Sequence, residues 1–379
     1  MELNQFKLIK FLGTGNFSLV YEVTSNRDCD RNQTYAMKRF FLQDSFAING
    51  AIREQHVLRR LASNVSKSPF LETLYYSFLH NDLPVLILSK GSGFDLFDII
   101  EYFCPLSEEQ AIFYCSEVIS GLIDIHAMGI VHLDIKPENI LLSNTGHAMI
   151  SDFDCAYELA HSAGPPKSKD FRGTTYFLAP EIACQFCIRY EADSWGVGAL
   201  MACLLADKYR PEATSDAALK EQARQGKWEV HGFENFTPPL QAFLKSCFAL
   251  NPARRPLPLK MKSHEIFSNV NWDPAELLRR KAPFQPSDIH QQMGKAKYSF
   301  DPSCRAILQT AHWKLMPKFP SGFPYSESPL DANELGSIAP NKDELRTSGM
   351  TPQRIHKLFE DFDFVNECAL DDDDDDEII

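Results

Sequence analysis

A short polar loop, His132-Leu133-Asp134-Ile135-Lys136-Pro137-Glu138-Asn139, carries the side chains that are best suited to chemistry. It lies between an apolar helix-like run (119–130) and an apolar strand-like run (140–142). A carboxylate can orient a hydroxyl and accept its proton, a lysine can hold a phosphate, and an amide oxygen can bind magnesium. Phosphoryl transfer needs these groups, because its catalysis consists mainly of positioning and charge neutralisation. Asp152, within Ser151-Asp152-Phe153-Asp154, would add a second metal ligand.

Two stretches near the start of the chain are suited to holding a nucleotide. The run Gly13-Thr14-Gly15-Asn16-Phe17-Ser18-Leu19-Val20 follows a strand-like segment (5–12). Its two glycines let the backbone bend tightly and point N–H groups at phosphates, although hairpins use the same residues. Lys38 follows in the strand pattern Tyr35-Ala36-Met37-Lys38, and a helix-like run (50–61) offers Glu54 as its carboxylate partner. Taken alone, Glu54 would be interpreted as a solvated helix residue.

These motifs, in this order, resemble those of eukaryotic protein kinases, and Asp152-Phe153-Asp154 resembles their Asp-Phe-Gly motif. A lysine two residues after Asp134 is the serine/threonine-kinase form. The resemblance implies a protein kinase that uses ATP and Mg²⁺. Asp134 would then orient the substrate hydroxyl and accept its proton. The other implied roles are Lys136 on the γ-phosphate, Lys38 fixed by Glu54 on the other phosphates, and Asn139 and Asp152 on the metal.

The same resemblance places a nucleotide cleft at a hinge after the strand-like run 85–88, with Leu88 as gatekeeper. Backbone groups around Ser89 and Gly91 would meet the adenine edge. Asp95 takes the position of a ribose-binding acid, but it could equally cap the next helix. The implied nucleotide-binding residues are Leu12, Gly13, Thr14, Gly15, Asn16, Phe17, Ser18, Val20, Ala36, Lys38, Ser89, Gly91, Asp95 and Leu141.

The expected fold class is α+β, with a small strand-rich lobe and a larger helical lobe. Hydrophobic periodicity alone indicates only strands early and helices later. The resemblance divides the chain into an N-lobe (1–88), a hinge (89–93), a C-lobe (94–270), a C-terminal tail (271–370) and an acidic terminus (371–379). The tail resembles that of AGC-group kinases around Trp272, Pro283-Phe284-Gln285-Pro286 and Tyr298-Ser299-Phe300-Asp301, the last of which would cross the cleft.

The run Phe359-Glu360-Asp361-Phe362-Asp363-Phe364 fits the hydrophobic motif that ends the AGC tail. The resemblance implies that this motif docks in cis on the N-lobe, beside the helix that carries Glu54. A short amphipathic helix that docks elsewhere is the alternative.

Four positions depart from the kinase pattern. Leu133 stands where most kinases have arginine, and Asp154 where they have glycine. The resemblance also implies an activation segment that follows Asp152 and ends at Glu181. Asp170, in this segment, and Asp363 occupy two positions that are usually phosphorylated in AGC kinases, although a carboxylate only partly replaces a phosphate. We therefore expect an active conformation that needs no upstream phosphorylation. The alternative is a pseudokinase, a nucleotide-binding or scaffold module, and its case rests on Leu133 and Asp154.

Composition limits the partners of the chain. Its 379 residues carry a net charge of −13, and seven negative charges lie in the run 371–377. This balance argues against nucleic-acid binding and suits a basic protein substrate, as do Glu138 and Asp95 near the peptide groove. Cys184 and Cys187 form a lone CxxC that favours a helix with two buried thiols over zinc. Scattered cysteines and the lack of a signal peptide predict an intracellular protein, cytoplasmic or nuclear, and the longest apolar run (197–206) is too short to span a membrane.

Overall fold

The strands form one large sheet and two small ones. A computed structural model describes residues 1–15, 17–63, 68–159, 174–206, 215–296 and 342–366. The large sheet is antiparallel and has six strands in the spatial order β1-β2-β3-β5-β4-β10, while β6 pairs with β9 and β7 with β8. The strands are β1 (Phe6–Thr14), β2 (Ser18–Ser25), β3 (Thr34–Phe40), β4 (Leu74–His80), β5 (Leu83–Leu88), β6 (Ile130–Val131), β7 (Ile140–Leu142), β8 (Ala148–Ile150), β9 (Tyr157–Glu158) and β10 (Phe364–Val365).

The two faces of the large sheet enter different apolar cores. Along β5, Leu86 and Leu88 join the main core, whereas Val85 and Ile87 join a second cluster with Tyr76. Such a division follows from the strand period of two, which points successive side chains to opposite faces. The sheet is therefore buried on both sides near its centre.

Helix α1 (Ser45–Ala62) packs on the face of the sheet that enters the main core. It starts earlier than the apolar pattern indicates, because the carboxylate of Asp44 accepts a 2.8 Å hydrogen bond from the N–H of Ala47 and caps the first turn. Its apolar residues Ile48, Val57 and Leu58 are fully buried. One charged residue of this helix, Glu54, is fully buried as well.

The second lobe is helical, so the α+β, two-lobed expectation is confirmed. Its centre is formed by α3 (Glu108–Ala127) and α5 (Glu191–Leu205), and 13 of the 15 residues of α5 are buried. The remaining helices are α2 (Leu96–Phe103), α4 (Pro180–Ala183), α6 (Asp216–Gln225), α7 (Pro238–Cys247), α8 (Pro258–Met261), α9 (Pro274–Arg279), α10 (Pro286–Ala296), α11 (Lys342–Thr347) and α12 (Pro352–Leu358).

The expectation of a helix with two buried thiols at Cys184 and Cys187 is wrong. Helix α4 ends at Ala183, and Gln185 then adopts a left-handed φ of 59°, which turns the chain outwards and leaves Cys187 exposed. Both cysteines are free, and no group of three or more His, Cys, Asp or Glu suited to a metal occurs among the described residues. None of the helices in this part of the chain is long and apolar enough to cross a membrane.

Candidate active site

The loop that carries Asp134 is held from below by helix α5. The carboxylate of Asp193 accepts the backbone N–H of His132 at 2.9 Å and that of Leu133 at 2.8 Å. Leu133 has a φ of 68°, a conformation that costs a non-glycine residue about 1–2 kcal/mol. The buried carboxylate fixes this turn, so the strain is maintained by the surrounding structure.

Asp134 is buried and held by three donors. One oxygen accepts from Lys136 Nζ at 2.6 Å and from Asn139 Nδ2 at 2.9 Å, and the other accepts from the backbone N–H of Thr174 at 3.0 Å. Lys136 Nζ also donates to the Thr174 hydroxyl at 2.9 Å. Burial disfavours the charge of Lys136, but the carboxylates of Asp134 and Asp152 outweigh burial and raise the pKa of its ammonium. A carboxylate and an ammonium are therefore fixed side by side.

Lys38 joins the two lobes through its ammonium group. Its Nζ, on β3, lies 2.7 and 2.8 Å from the two carboxylate oxygens of Glu54 on α1, and 2.8 Å from Oδ1 of Asp152. Burial lowers the pKa of Lys38, but the charges of Asp152 and Glu54 reverse this effect and raise it well above its usual value. The lysine stays charged, and the ion pair expected between it and Glu54 is present.

Asp152 and Phe153 occupy two different environments just after β8. Asp152 has a left-handed φ of 62°, which turns its carboxylate towards Lys38. Phe153 is fully buried, with its ring centroid 5.0 Å from that of His132. The backbone at Asp154 does not adopt a positive φ. A glycine is therefore not required there, and aspartate fits without backbone strain.

The side chain of Asp154 packs against a glycine of α1. A Cβ built on Gly50 would lie 3.6 Å from the Cβ of Asp154, which is ordinary van der Waals distance. The carbonyl oxygen of Asp154 accepts a hydrogen bond from Arg53, also on α1. Burial and the charge of Asp152 raise the pKa of the Asp154 carboxyl to about 7. After Asp134 and Asp152, the carboxyl of Asp154 is the third in this part of the site, and it adds partial negative charge beside Asp152.

Asn139 and Asp152 are the residues that would hold magnesium. The Nδ2 of Asn139 is committed to Asp134, which leaves its amide Oδ1 as the atom suited to a cation. The side chain of Asp152 is 32% exposed, so a cation can reach it. One carboxylate and one amide oxygen fit Mg²⁺, which usually takes one or two carboxylates and completes its shell with water and substrate phosphates.

Two glycines near the predicted nucleotide-binding residues leave little room for a side chain, and at the second, Gly91, the close neighbour is backbone. A Cβ on Gly15 would lie 2.6 Å from the hydroxyl of Ser18, whose carbonyl accepts the Gly15 N–H at 2.9 Å. A Cβ on Gly91 would lie 2.7 Å from the carbonyl oxygen of Leu142, so the hinge runs directly against β7. Asn16 lies outside the described residues.

The remaining residues that are predicted to bind the nucleotide lie on or next to strands that meet near the hinge. Val20 pairs with Lys38 between β2 and β3, and Ala36 pairs with Leu88 between β3 and β5. A single β-bridge joins Leu141 to residue 95. Ser89, at the end of β5, donates its N–H to the carbonyl of residue 73. The other predicted residues, Leu12, Gly13 and Phe17, lie on β1 or in the turn that follows it, as does the backbone of Thr14.

Asp95 caps helix α2. Its carboxylate accepts the N–H of Asp98 at 3.0 Å, and Asp98 accepts the N–H of Asp95 at 3.1 Å. This capping box is the structural alternative that the sequence left open. A ribose-binding role stays a prediction.

Glu72 is a residue of the site that sequence motifs do not reveal. It lies just before β4, is 6% exposed, and donates its backbone N–H to the carbonyl of Ile150 at 2.9 Å. Its carboxyl accepts a hydrogen bond from the backbone of Asp152, and burial raises its pKa to about 7. The one signal in the sequence is an acid within the apolar run Phe70-Leu71-Glu72-Thr73-Leu74.

The C-terminal aromatic run lies beside α1. Phe359 and Phe362 are each 3% exposed, with ring centroids 5.2 Å apart. The carbonyl of Phe362 accepts from Gln55 Nε2 at 3.0 Å, and β10 extends the large sheet by pairing Phe364 with Ser77. The predicted cleft-crossing run Tyr298-Ser299-Phe300-Asp301 and the activation-segment residue Asp170 both lie outside the described residues.

A strand-rich lobe over a helical lobe, with a lysine–glutamate pair and an aspartate loop between them, defines a protein kinase domain. Residues 6–267 match the family model of the protein kinase domain. The chain belongs to the protein kinase family, whose members use ATP with Mg²⁺.

Curated relatives place the chain nearest the AGC group. It is 30% identical over 292 residues to ribosomal protein S6 kinase 2 alpha of Gallus gallus, which covers 75% of this chain and 38% of the relative. It is 31% identical over 292 residues to ribosomal protein S6 kinase alpha-3 of Homo sapiens, with the same coverage. It is also 30% identical over 307 residues to the human alpha-6 kinase, covering 80% of this chain and 40% of the relative. The chain thus spans about two-fifths of the length of these relatives.

Proposed function

We propose that this protein is an active serine/threonine kinase that transfers the γ-phosphate of ATP to a protein hydroxyl. One observation carries the proposal: the Lys38 ammonium bonds at once to Glu54 of α1 and to Asp152 of the segment Asp152-Phe153-Asp154, which we call the metal loop. These residues belong to different lobes, and their convergence is what positioning of a nucleotide requires. The amine and carboxylate of the catalytic loop lie in the same cleft.

Each of these residues has a role in the proposed reaction. Asp134 orients the attacking hydroxyl and accepts its proton, while Thr174 and Asn139 keep the carboxylate in place. Lys136 holds the phosphoryl group in transfer, and Lys38 holds the phosphates that remain. When bound at Asn139 and Asp152, Mg²⁺ neutralises charge on the phosphates.

A basic protein substrate is the substrate class that the charges favour. Glu138 is exposed beside the catalytic loop. Burial raises the pKa of Asp95 well above its usual value, and repulsion from the charges of Asp98 and Glu138 raises it further. A cation placed between these carboxyls would relieve that repulsion. Basic side chains of a substrate peptide would provide it.

We further propose that the aromatic C-terminal run is a cis-docking hydrophobic motif and that activity does not require an activating phosphate. The buried Phe359 and Phe362 support the first point. The apolar Leu133, which is 9% exposed, supports the second, because it offers no cation for a phosphate on the activation segment. Asp363 is exposed at the position where a phosphate would stand in AGC kinases.

The deciding experiment compares phosphotransfer from ATP by the full chain and by Asp134→Asn. We expect transfer by the wild type and a loss of about 10³-fold or more in the variant, because a proton acceptor positioned at the reacting group is removed. Asp28→Asn, which changes an exposed carboxylate far from the cleft, serves as the matched control and should behave as wild type. Equal, background-level signals from wild type and Asp134→Asn support the pseudokinase alternative, for which ATP binding without transfer is the remaining activity.

A further inference from the structure

In addition to the ion pair between Glu54 and Lys38, hydrogen bonds and ion pairs on two other faces hold helix α1 in place. Towards the C-terminal run, Gln55 and Arg59 donate to the carbonyls of Phe362 and Asp361. A different set, Arg53, His56 and Arg60, follows the helical spacing i, i+3 and i+7 and therefore shares another face. This second face meets the metal loop and strand β9.

The contacts of the second face form a charged cluster around Glu158 of β9. Arg60 Nη1 bonds to one carboxylate oxygen of Glu158, and His56 Nε2 lies 3.2 Å from the other. Arg60 Nη2 also donates to the carbonyl of Met128 at 2.9 Å. The side chains of Glu158 and Arg60 are 11% and 28% exposed, so this ion pair is better shielded from water than surface ion pairs. The His56 side chain, at 58% exposed, lies at the edge of the cluster.

The strand that carries Glu158 pairs with β6, which directly precedes the catalytic loop. Glu158 pairs with Ile130 across the β6–β9 ladder, two residues before His132. On the same side of α1, Arg53 donates to the carbonyl of Asp154 in the metal loop. The cluster therefore ties α1, and with it Glu54, to both segments that supply catalytic residues.

We propose that Glu158 is a positioning residue that, with Arg60 and His56, holds α1 so that Glu54 stays on Lys38 without a phosphate on the activation segment. This inference rests on the proposed kinase function. The Arg60–Glu158 ion pair, which the chain itself encodes, supplies the charged part of the link between α1 and the C-lobe. Because Leu133 offers no cation, that link does not depend on a phosphate there.

The test uses Glu158→Gln, Arg60→Met and the double variant in the full chain. We expect kcat/KM for ATP to fall about tenfold in each single variant and no further in the double variant, since both remove one coupled interaction. Hydrogen exchange in residues 45–62 should become faster in all three. Glu276→Gln, which removes one partner of an exposed ion pair on α9, is the matched control and should change neither quantity.

A purely structural role predicts another pattern, in which melting temperature falls while kcat and KM at low temperature stay at the wild-type values. That pattern, or unchanged exchange in α1, overturns the proposal. The exchange measurement needs no catalysis. If the wild type transfers no phosphate, the kinase proposal fails, whereas faster α1 exchange in Glu158→Gln still supports the link between Glu158 and the helix.

Discussion

Asp154 places a third carboxyl next to Asp152 and Asp134. Like charges near a cation site strengthen its attraction for a divalent ion, by an amount that depends on separation and local dielectric. We expect Asp154→Asn, which keeps the shape and removes the charge, to raise the Mg²⁺ concentration for half-maximal phosphotransfer by about threefold or more. A magnesium titration at saturating ATP measures this. An unchanged midpoint would mean that the carboxyl does not act on the metal.

His132 provides a test of a single buried group through pH. Burial lowers the pKa of His132, whose Nδ1 accepts from the backbone N–H of Asp134 while Nε2 faces the carbonyl of Ser151. The unfolded chain therefore takes up a proton below a pH of about 6.5, where the folded chain still resists it. It follows that protonation of His132 does not affect the free energy of unfolding above that pH, and that it lowers this free energy as the pH falls.

Replacing His132 with phenylalanine keeps the ring contact with Phe153 and removes the titrating group. The variant should be less stable than wild type at pH 8, because two hydrogen bonds are lost. The difference in the free energy of unfolding between the variant and the wild type should be smaller at pH 5.5. Urea unfolding at the two pH values gives both differences, and a gap that does not narrow contradicts the assignment of a neutral, buried imidazole.

At the scale of the elements, β10 and the aromatic run before it form a C-terminal segment that packs against the kinase domain. Replacement of a core phenylalanine by alanine usually lowers the free energy of unfolding by about 3–5 kcal/mol. A terminal segment, however, can detach while the rest of the protein stays folded. We therefore expect Phe359→Ala with Phe362→Ala to lower global stability by less than that range. The same change should speed hydrogen exchange in α1, because Gln55 and Arg59 lose their partners.

Addition of a synthetic peptide of residues 350–366 should partly restore slow exchange in that variant, since the surface of α1 and β4 that the aromatic run contacts would still be present. A peptide with both phenylalanines replaced by alanine is the control. If the double variant exchanges like wild type, the aromatic run does not hold α1.

The elements that sequence reasoning located correctly are those whose chemistry lies in neighbouring residues. The loop around Asp134 and the strand of Lys38 are contiguous motifs, so their resemblance to protein kinases can be recognised in the sequence, and that resemblance implies their roles. Glu158 and Glu72 were not predicted, because their contacts form only when β9 and the segment before β4 are brought against α1 and the metal loop. The CxxC prediction failed for a local reason, namely that a left-handed turn at Gln185 ends α4 early.

At the scale of the whole molecule, the two lobes are joined by more than the hinge. The Lys38–Asp152 bond, the Arg53 bond to the metal loop and the Glu158 cluster all cross from the small lobe to the large one. Each uses groups that the chain itself encodes. These contacts support the proposal that the active arrangement forms without covalent modification.

We therefore expect protein made in a bacterial host that lacks upstream kinases to phosphorylate a basic test peptide. Treatment with a phosphatase, verified by mass spectrometry, should change the rate of peptide phosphorylation by less than about twofold. The reason is that Leu133 provides no positive charge that could bind a phosphate. Asp134→Asn protein prepared in the same way is the control for contaminating kinases. A loss of activity after phosphatase treatment that is restored by an upstream kinase would show that a phosphate, and not the Glu158 cluster, completes the active arrangement.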